Sequence, residues 1–235
     1  MNSSIEFSSY PIGEFHELCL LAGKPSRPKI LIVPPLFDEM NRMRRMLIEV
    51  MRSLANWEIS TCLMDLPGTN ESMLPRDQAS LSLWQESVQS CADHMETNHN
   101  ASFRGGILAV DLLPAADHWQ FSPIKGRTLL RTMMRTRIAS DKESGIITKV
   151  SELEELAKTK PVELAGNQIN PTLFSELQSA HPPELQNQRV ARLLTDSKPC
   201  DIGLEGSALW LRAEPDADIS LSRAIAKDLA DWIGQ

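Results

Sequence analysis

The sequence predicts an α/β fold in which a mostly parallel central sheet lies between two layers of helices. Short apolar runs alternate along the chain with longer segments whose apolar residues recur at three- and four-residue steps. This alternation is typical of parallel sheets, where a helix crosses over between successive strands. The chain has 235 residues, 42% of them hydrophobic, which is enough for the core of one such domain.

The first half of the chain carries the clearest elements. Residues 29–33 form a β-branched apolar run that stops at Pro34, as expected of a central strand buried on both faces. Asn41 is placed to cap a helix over residues 42 to about 55, because its side chain can accept a hydrogen bond from the first turn. Residues 57–64 predict a second strand, so these elements form a strand–helix–strand unit.

The later elements follow from the same patterns. They are a helix at about 80–95, short strands at 101–106 and 119–121 with a helix over the apolar residues 107–113 between them, a basic helix from 126 to about 143, strands at 189–194 and 207–211, and a last helix at 220–233. Residues 145–183 are polar and broken by prolines, which predicts a short helical insertion covering one end of the sheet. We therefore expect residues 1–235 to form a single domain.

Composition restricts the function. A formal net charge of -7 argues against nucleic-acid binding and against general attraction to anionic membranes. The four cysteines are widely spaced and form no CxxC pair, which favours neither a disulfide framework nor a zinc site and suits a reducing cytoplasm. No apolar stretch reaches the roughly 20 residues of a transmembrane helix, and the polar start lacks a signal-peptide pattern. We expect a soluble cytoplasmic protein without a cofactor or metal.

Three short motifs carry a resemblance to a known superfamily. The first is Pro34-Pro35-Leu36-Phe37, followed by Glu39-Met40-Asn41 and by Arg44-Arg45-Met46. The second is Asp65-Leu66-Pro67-Gly68-Thr69-Asn70-Glu71-Ser72, which is similar to an Asp-x-x-Gly-x-Gly-x-Ser turn with Asn70 at the second glycine. The third is Ser102-Phe103-Arg104-Gly105-Gly106, which follows the second helix.

Together these motifs resemble the α/β-hydrolase superfamily and, within it, the bacterial proteins known as exosortase A system-associated hydrolases. The resemblance implies a three-layer α/β-hydrolase-like sandwich and a setting in an exosortase or exopolysaccharide system. The third motif falls where the superfamily has its Gly-x-Ser-x-Gly nucleophile elbow, so Arg104 takes the position of the catalytic serine. The exosortase-associated relatives similarly often have Gly-Leu-Arg-x-Gly at this point.

The residues that serine hydrolysis requires are missing at the expected positions. A guanidinium stays protonated and is no nucleophile, and the five histidines all precede residues 213–218, the loop that holds the superfamily's catalytic histidine. Asp196 could take the acid position, although a solvated loop aspartate is the simpler interpretation. We therefore expect no active serine hydrolase, and no catalytic residue is assigned.

Other catalytic sets are disfavoured for similar reasons. Ser72 and Ser102 are weak candidates for a displaced nucleophile, because neither has a histidine near it in sequence. The spacing of Cys91, His94 and His99 loosely suits a metal, but Cys91 lies on the apolar stripe of its helix, so a buried cysteine with two loop histidines is favoured.

The candidate ligand-binding residues come from the crossover after the first strand and from the elbow. Open α/β sheets bind ligands at the carboxyl ends of their strands, which places Glu39, Asn41, Arg44 or Arg45, and Arg104 together. Arg104 at a helix N-terminus would favour a small anion such as a carboxylate or phosphate. The alternative, an internal ion pair of Arg104 with Glu39 or Asp65, is somewhat favoured because a buried arginine needs a partner.

The basic helix is a second candidate surface. Arg127, Arg131 and Arg135 lie four residues apart and could contact an acidic partner or lipid headgroups, or form a solvated face balanced by Asp141 and Glu143. Three functions remain open: a non-catalytic hydrolase homologue acting as a binding or accessory protein, a hydrolase of an ester or thioester with a non-standard site, and a protein-interaction module, which includes a homodimer.

Overall fold

An eight-stranded sheet lies at the centre of the structure, a computed structural model that describes residues 5–24, 30–113 and 117–234. The strands are β1 Ile5–Ile12, β2 Phe15–Ala22, β3 Ile30–Val33, β4 Thr61–Met64, β5 His99–Phe103, β6 Asp117–Phe121, β7 Val162–Leu164, β8 Asn167–Ile169, β9 Gln188–Leu193 and β10 Ile202–Leu204. The large sheet has the order β1-β2-β4-β3-β5-β6-β9-β10, and β7 pairs only with β8. Along this order, all neighbouring strands from β4 to β10 are parallel to each other. The β1–β2 and β2–β4 pairs are antiparallel.

Within the described residues, six helices cover the two faces of the sheet. They are α1 Asp38–Asn56, α2 Leu81–Met95, α3 Gly126–Glu143, α4 Val150–Ala157, α5 Pro171–Ser179 and α6 Ile219–Ile233. Helices α1 and α6 pack on the face that carries Ile30 and Ile32, and the other four helices pack on the face that carries Leu31 and Val33. The predicted three-layer α/β sandwich with a mostly parallel sheet is thereby confirmed. No helix within the described residues is both long and apolar enough to cross a membrane.

Several predicted boundaries are confirmed and two need correction. Ser80 caps α2 by accepting a hydrogen bond from the Leu83 amide at 3.1 Å, and α3 spans the predicted residues. Helix α1, however, begins at Asp38, so Asn41 lies inside its first turns and is no cap. Two carboxylates in that first turn, Asp38 and Glu39, interact favourably with the helix dipole and support the earlier start.

The second correction concerns the edge of the sheet. The predicted strand at residues 207–211 is wrong, because the edge strand is Ile202–Leu204 and a 3-10 turn occupies Leu209–Leu211. The Ser207 amide donates to the Asp218 carboxylate at 2.9 Å instead of to a neighbouring strand. This bond ties the segment to the beginning of α6.

The insertion at residues 145–183 contains a hairpin between its two helices. Strands β7 and β8 are joined by Ala165 and Gly166, which have φ values of 49° and 76°. Two consecutive left-handed residues are what a tight two-residue hairpin loop requires. Buried Leu164 and Ile169 anchor the hairpin in the core beneath α2 and α3. The sequence predicted the insertion as helical and missed this hairpin, as it missed the N-terminal hairpin of β1 and β2.

Candidate functional site

The turn after β5 keeps the backbone of a nucleophile elbow. Arg104 has a φ of 55°, a left-handed conformation that is uncommon for a residue other than glycine. A Cβ atom on Gly106 would lie 2.3 Å from the Pro34 carbonyl oxygen, so only glycine allows the elbow to approach the loop after β3. The expected helix N-terminus is absent here, because Arg104–Ala109 forms a six-residue 3-10 turn.

The Arg104 side chain is fully engaged with protein groups. Its Nε and Nη2 donate to the two oxygens of Glu39 at 3.1 and 3.0 Å, and its Nη1 donates to the Ser122 carbonyl at 3.2 Å. The guanidinium lies over the Trp210 ring, 4.1 Å from the centroid. The two charged side chains are only 11% and 10% exposed. Of the two alternatives, the structure therefore contains the internal ion pair, and Arg104 has few donors left for a ligand.

Residues near the expected acid and base positions make structural contacts. In the loop before α6, Asp218 accepts hydrogen bonds from the Leu221 and Ser207 amides and so caps the helix. Asp196 accepts from Arg192 at 2.8 Å, so it is ion-paired and not the solvated aspartate that the sequence suggested. Neither carboxylate has a histidine partner within the described residues.

Within the described residues neither candidate serine nucleophile is hydrogen-bonded to a histidine, although Ser72 contacts a carboxyl group. Ser72 Oγ donates to Glu17 Oε1 at 2.7 Å and accepts from the Gly68 and Leu74 amides. The one donor and both acceptor positions of the Ser72 hydroxyl are therefore occupied. Ser102 is buried on β5, and its Oγ has no hydrogen-bond partner within the described residues. A serine without a histidine partner lacks the base that activates it in serine hydrolases.

No metal site appears near the cysteine and histidine residues that the sequence singled out. Cys91 is buried in the core, with its Sγ 3.9 Å from that of Cys62, whereas His94 is exposed on the last turn of α2. Within the described residues no group of three or more His, Cys, Asp or Glu side chains could hold a metal ion.

The turn after β4 explains the asparagine that replaces the second glycine of the motif. Asn70 has a φ of 46°, and asparagine adopts this left-handed conformation more readily than other non-glycine residues. Its Nδ2 donates to Asp65 Oδ1 at 2.5 Å. Burial raises the pKa of Asp65, while the Asn70 hydrogen bond and the charge of Arg44 oppose that rise. The turn is therefore fixed around a buried carboxyl.

A cavity of about 520 Å³ lies beside the elbow. It is bounded by the loop after β3, the first turns of α1, the turn after β4 and the β7–β8 hairpin. Its lining side chains combine aromatic and aliphatic groups with amides, arginines and two carboxylates: Phe37, Leu66, Trp84, Leu173, Asn41, Asn167, Gln168, Arg44, Arg76, Asp38 and Glu71. The volume is within the range of small-molecule pockets.

The five predicted ligand-binding residues fall into three groups in the structure. Asn41 and Arg44 line the cavity. Glu39 and Arg104 pair with each other and are not among its lining residues. Arg45 is exposed outside it. The sequence also missed Arg76 and the hairpin residues, which reach the cavity only because the insertion folds back over it.

The basic helix presents unpaired arginines. Arg127, Arg131 and Arg135 are exposed on α3 and form no ion pair within the described part of the chain. Asp141 cannot balance them as the sequence suggested, because it is buried and bonded to Arg137 and Thr148 at 2.7 and 2.6 Å. The arginine face is therefore open to solvent.

Comparisons with known proteins place the fold. No protein-family model matches the chain, and no curated protein matches it by sequence. Among solved structures, Est1E from Butyrivibrio proteoclasticus bound to ferulic acid has a TM-score of 0.66 at 11% identity, covering 97% of this chain and 100% of Est1E. The 2-hydroxy-6-oxo-6-phenylhexa-2,4-dienoate hydrolase of Rhodococcus sp. strain RHA1 has a TM-score of 0.60 at 14% identity, covering 99% and 100%.

A membrane phospholipase A described as a bacterial virulence factor is also similar, with a TM-score of 0.56 at 13% identity, covering 98% of this chain and 86% of the phospholipase. Identities this low carry information about the fold alone. The structural similarity and the sheet order together show that the chain has an α/β-hydrolase fold.

Proposed function

We propose that this chain is a non-catalytic homologue of the α/β hydrolases and acts as a binding or accessory protein. The observation that carries the proposal is the buried Arg104–Glu39 ion pair at the nucleophile position. A permanently charged guanidinium cannot attack a carbonyl carbon, and within the described residues neither Ser72 nor Ser102 is hydrogen-bonded to a histidine. The cavity between the elbow and the insertion provides the space for binding.

A hydrolase with non-standard residues is the second candidate. The enzymes of similar fold favour it, since they include an Est1E structure with bound ferulic acid and a dienoate hydrolase. On this alternative the chain would cleave an ester or thioester in the same cavity. The two functions differ in one respect, which is whether a bound substrate is turned over.

An exosortase or exopolysaccharide system is the setting that we propose, on the resemblance of the Pro34–Met46 segment alone. We place the protein in the cytoplasm because its four cysteines are free thiols, although two sulfur atoms lie only 3.9 Å apart. A protein partner, or a second copy of the chain, is a third candidate function. The unpaired arginines of α3 favour an acidic partner for it.

Ester and thioester turnover tests the proposal. Purified protein is incubated with p-nitrophenyl butyrate and with an acyl thioester of the same chain length, beside Ser72→Ala and Ser102→Ala variants. We expect all three proteins to match the spontaneous rate. Turnover by the wild type that either substitution abolishes would establish the hydrolase alternative instead.

A further inference from the structure

The cavity beside the elbow has two arginines that no carboxylate neutralises. Arg44 projects from α1 one turn after Asn41 and lines the cavity with it. It forms no ion pair within the described residues, and its effect on Asp65 is that of a nearby charge without contact. A guanidinium offers five N–H donors in a planar fork that matches carboxylate and phosphate groups. Those of Arg44 are available to a ligand.

The second arginine is placed by the insertion. Arg76 belongs to the 3-10 turn Arg76–Gln78 at the mouth of the cavity and also lacks an ion pair within the described chain. Asn170 Nδ2 donates to the Asp77 and Ala79 carbonyls at 2.8 and 2.7 Å, while Asn170 Oδ1 caps α5 by accepting from the Leu173 amide. One asparagine therefore holds the turn that carries Arg76 against the insertion.

The opposite walls of the cavity are apolar and partly aromatic. Phe37 and Trp84 pack edge to face, with ring centroids 5.6 Å apart, and Leu66 and Leu173 are almost fully buried beside them. Trp84 is only 1% exposed and its Nε1–H is bonded to the Pro67 carbonyl, so it supports Phe37 from behind, and the half-buried Phe37 ring provides the aromatic surface at the cavity. A flat apolar group is the kind of ligand that such walls accommodate.

The acidic groups around the cavity leave room for an anion. Asp38 is paired with Arg42 at 2.5 Å. Glu71 is exposed at the rim, and Asp65 is bonded to Asn70 behind the cavity. None of these carboxylates is within ion-pair distance of Arg44 or Arg76. The anionic group of a ligand can therefore pair with these two arginines.

We propose that this cavity binds a small molecule with a carboxylate or phosphate group and a flat apolar body, the anion contacting Arg44 and Arg76. The inference deepens the proposed function and rests on it, since it identifies the ligand class of a non-hydrolytic site. It also moves the anion site from Arg104 to residues on α1 and on the turn before α2. The β7–β8 hairpin closes the cavity over the bound molecule.

Calorimetric titration with matched probes tests this inference. The probes are 2-naphthoate and 2-naphthyl phosphate, which are anionic, and 2-naphthamide, which has the same aromatic body without the charge. We expect both anions to bind the wild type at least about tenfold more tightly than the amide, since hydrogen bonds between charged groups are stronger than those of a neutral amide. The anion that binds more tightly shows whether the site prefers a carboxylate or a phosphate group.

Single variants locate the site. Arg44→Gln and Arg76→Gln should each weaken 2-naphthoate binding about tenfold or more, whereas Arg131→Gln, an exposed arginine on α3, should leave it unchanged. Thermal unfolding without ligand confirms that each variant is folded. Three results would overturn the inference: no binding of 2-naphthoate to the wild type, equal binding of the amide, or unchanged binding in both cavity variants. Failure of the proposed function would appear separately, as ester turnover.

Discussion

Arg104 and Glu39 form a two-pronged ion pair, with N–O distances of 3.1 and 3.0 Å, at the point where a serine hydrolase holds its nucleophile. Glu39 lies on the first turn of α1 and Arg104 in the turn after β5, so the pair joins the beginning of α1 to the elbow at the carboxyl end of the sheet. The left-handed backbone of Arg104 costs roughly 1–3 kcal/mol, and the buried pair offsets that strain. The elbow thus acts as a structural link.

Removal of the arginine should destabilise the fold. Arg104→Gly relieves the backbone strain but leaves Glu39 buried and unpaired, which costs about 3–5 kcal/mol in comparable cases. We expect a net loss of about 2 kcal/mol in the free energy of unfolding, measured by urea denaturation.

The double variant Arg104→Gly/Glu39→Gln is the matched control. It should lose less than the sum of the two single variants, because the second change removes the uncompensated charge. Additive losses would show that the two side chains are not energetically coupled.

Glu17 should make stability fall as the pH rises. Burial raises the pKa of this carboxyl above its ordinary value of 4.5, and the hydrogen bond from Ser72 only partly opposes the rise. Folding therefore favours the protonated form, and its contribution is complete below 4.5 and is lost as the pH increases through the raised pKa. The advantage of Glu17→Gln over the wild type in urea denaturation should accordingly grow from pH 5 to pH 8.

Glu14→Gln provides the comparison, because Glu14 is exposed in the turn of the same hairpin. It should show no such pH-dependent advantage. An advantage of Glu17→Gln that stays constant or shrinks with rising pH would contradict the prediction.

The four thiols should differ sharply in reactivity. Cys200 is exposed, whereas Cys19, Cys62 and Cys91 are buried. A thiol hydrogen bond with Cys62, together with burial, raises the pKa of Cys19, which keeps it from forming the reactive thiolate. Under native conditions Ellman's reagent should react quickly with one thiol per chain, and with none in Cys200→Ser. Rapid reaction of two or more thiols would show that the core opens.

Asn170 should be important for the insertion. Asn170→Ala removes a helix cap, which contributes about 0.5–2 kcal/mol, and two hydrogen bonds to carbonyls of about 0.5–1.5 kcal/mol each. We expect a loss of about 2–4 kcal/mol on urea denaturation. Asn170→Ser keeps a helix-cap acceptor but is too short to replace both bonds of the amide donor, so it should fall between Asn170→Ala and the wild type. Equal stability of all three proteins would mean that Asn170 does not hold the insertion in place.

The central elements were predictable because burial leaves a pattern in the sequence. β3 is buried along its whole length, and α1 and α6 each bury one apolar stripe. The peripheral strands leave no such pattern. Only Tyr10 is fully buried on β1, and β8 consists of Asn167, Gln168 and Ile169. Short or half-exposed strands depend on contacts with neighbours that the local sequence does not specify.

The residues of the candidate site likewise include some that the sequence could predict and some that it could not. The elbow motif was sufficient to identify Arg104 and to suggest Glu39 or Asp65 as its partner, and the structure pairs it with Glu39 while Asp65 is bonded to Asn70. Arg76 could not be identified, because it reaches the cavity only when the Asn170 side chain binds the Arg76–Gln78 turn. A contact between residues more than 90 positions apart depends on the packing of the insertion.

Intact-protein mass spectrometry after reaction with a fluorophosphonate shows whether this chain contains an activated serine. The reagent phosphonylates activated serines, so a chain whose elbow holds the Arg104–Glu39 pair should keep its unmodified mass, while an active serine esterase in the same sample is labelled. An adduct of one phosphonyl group per chain, lost in Ser72→Ala or Ser102→Ala, would contradict the account.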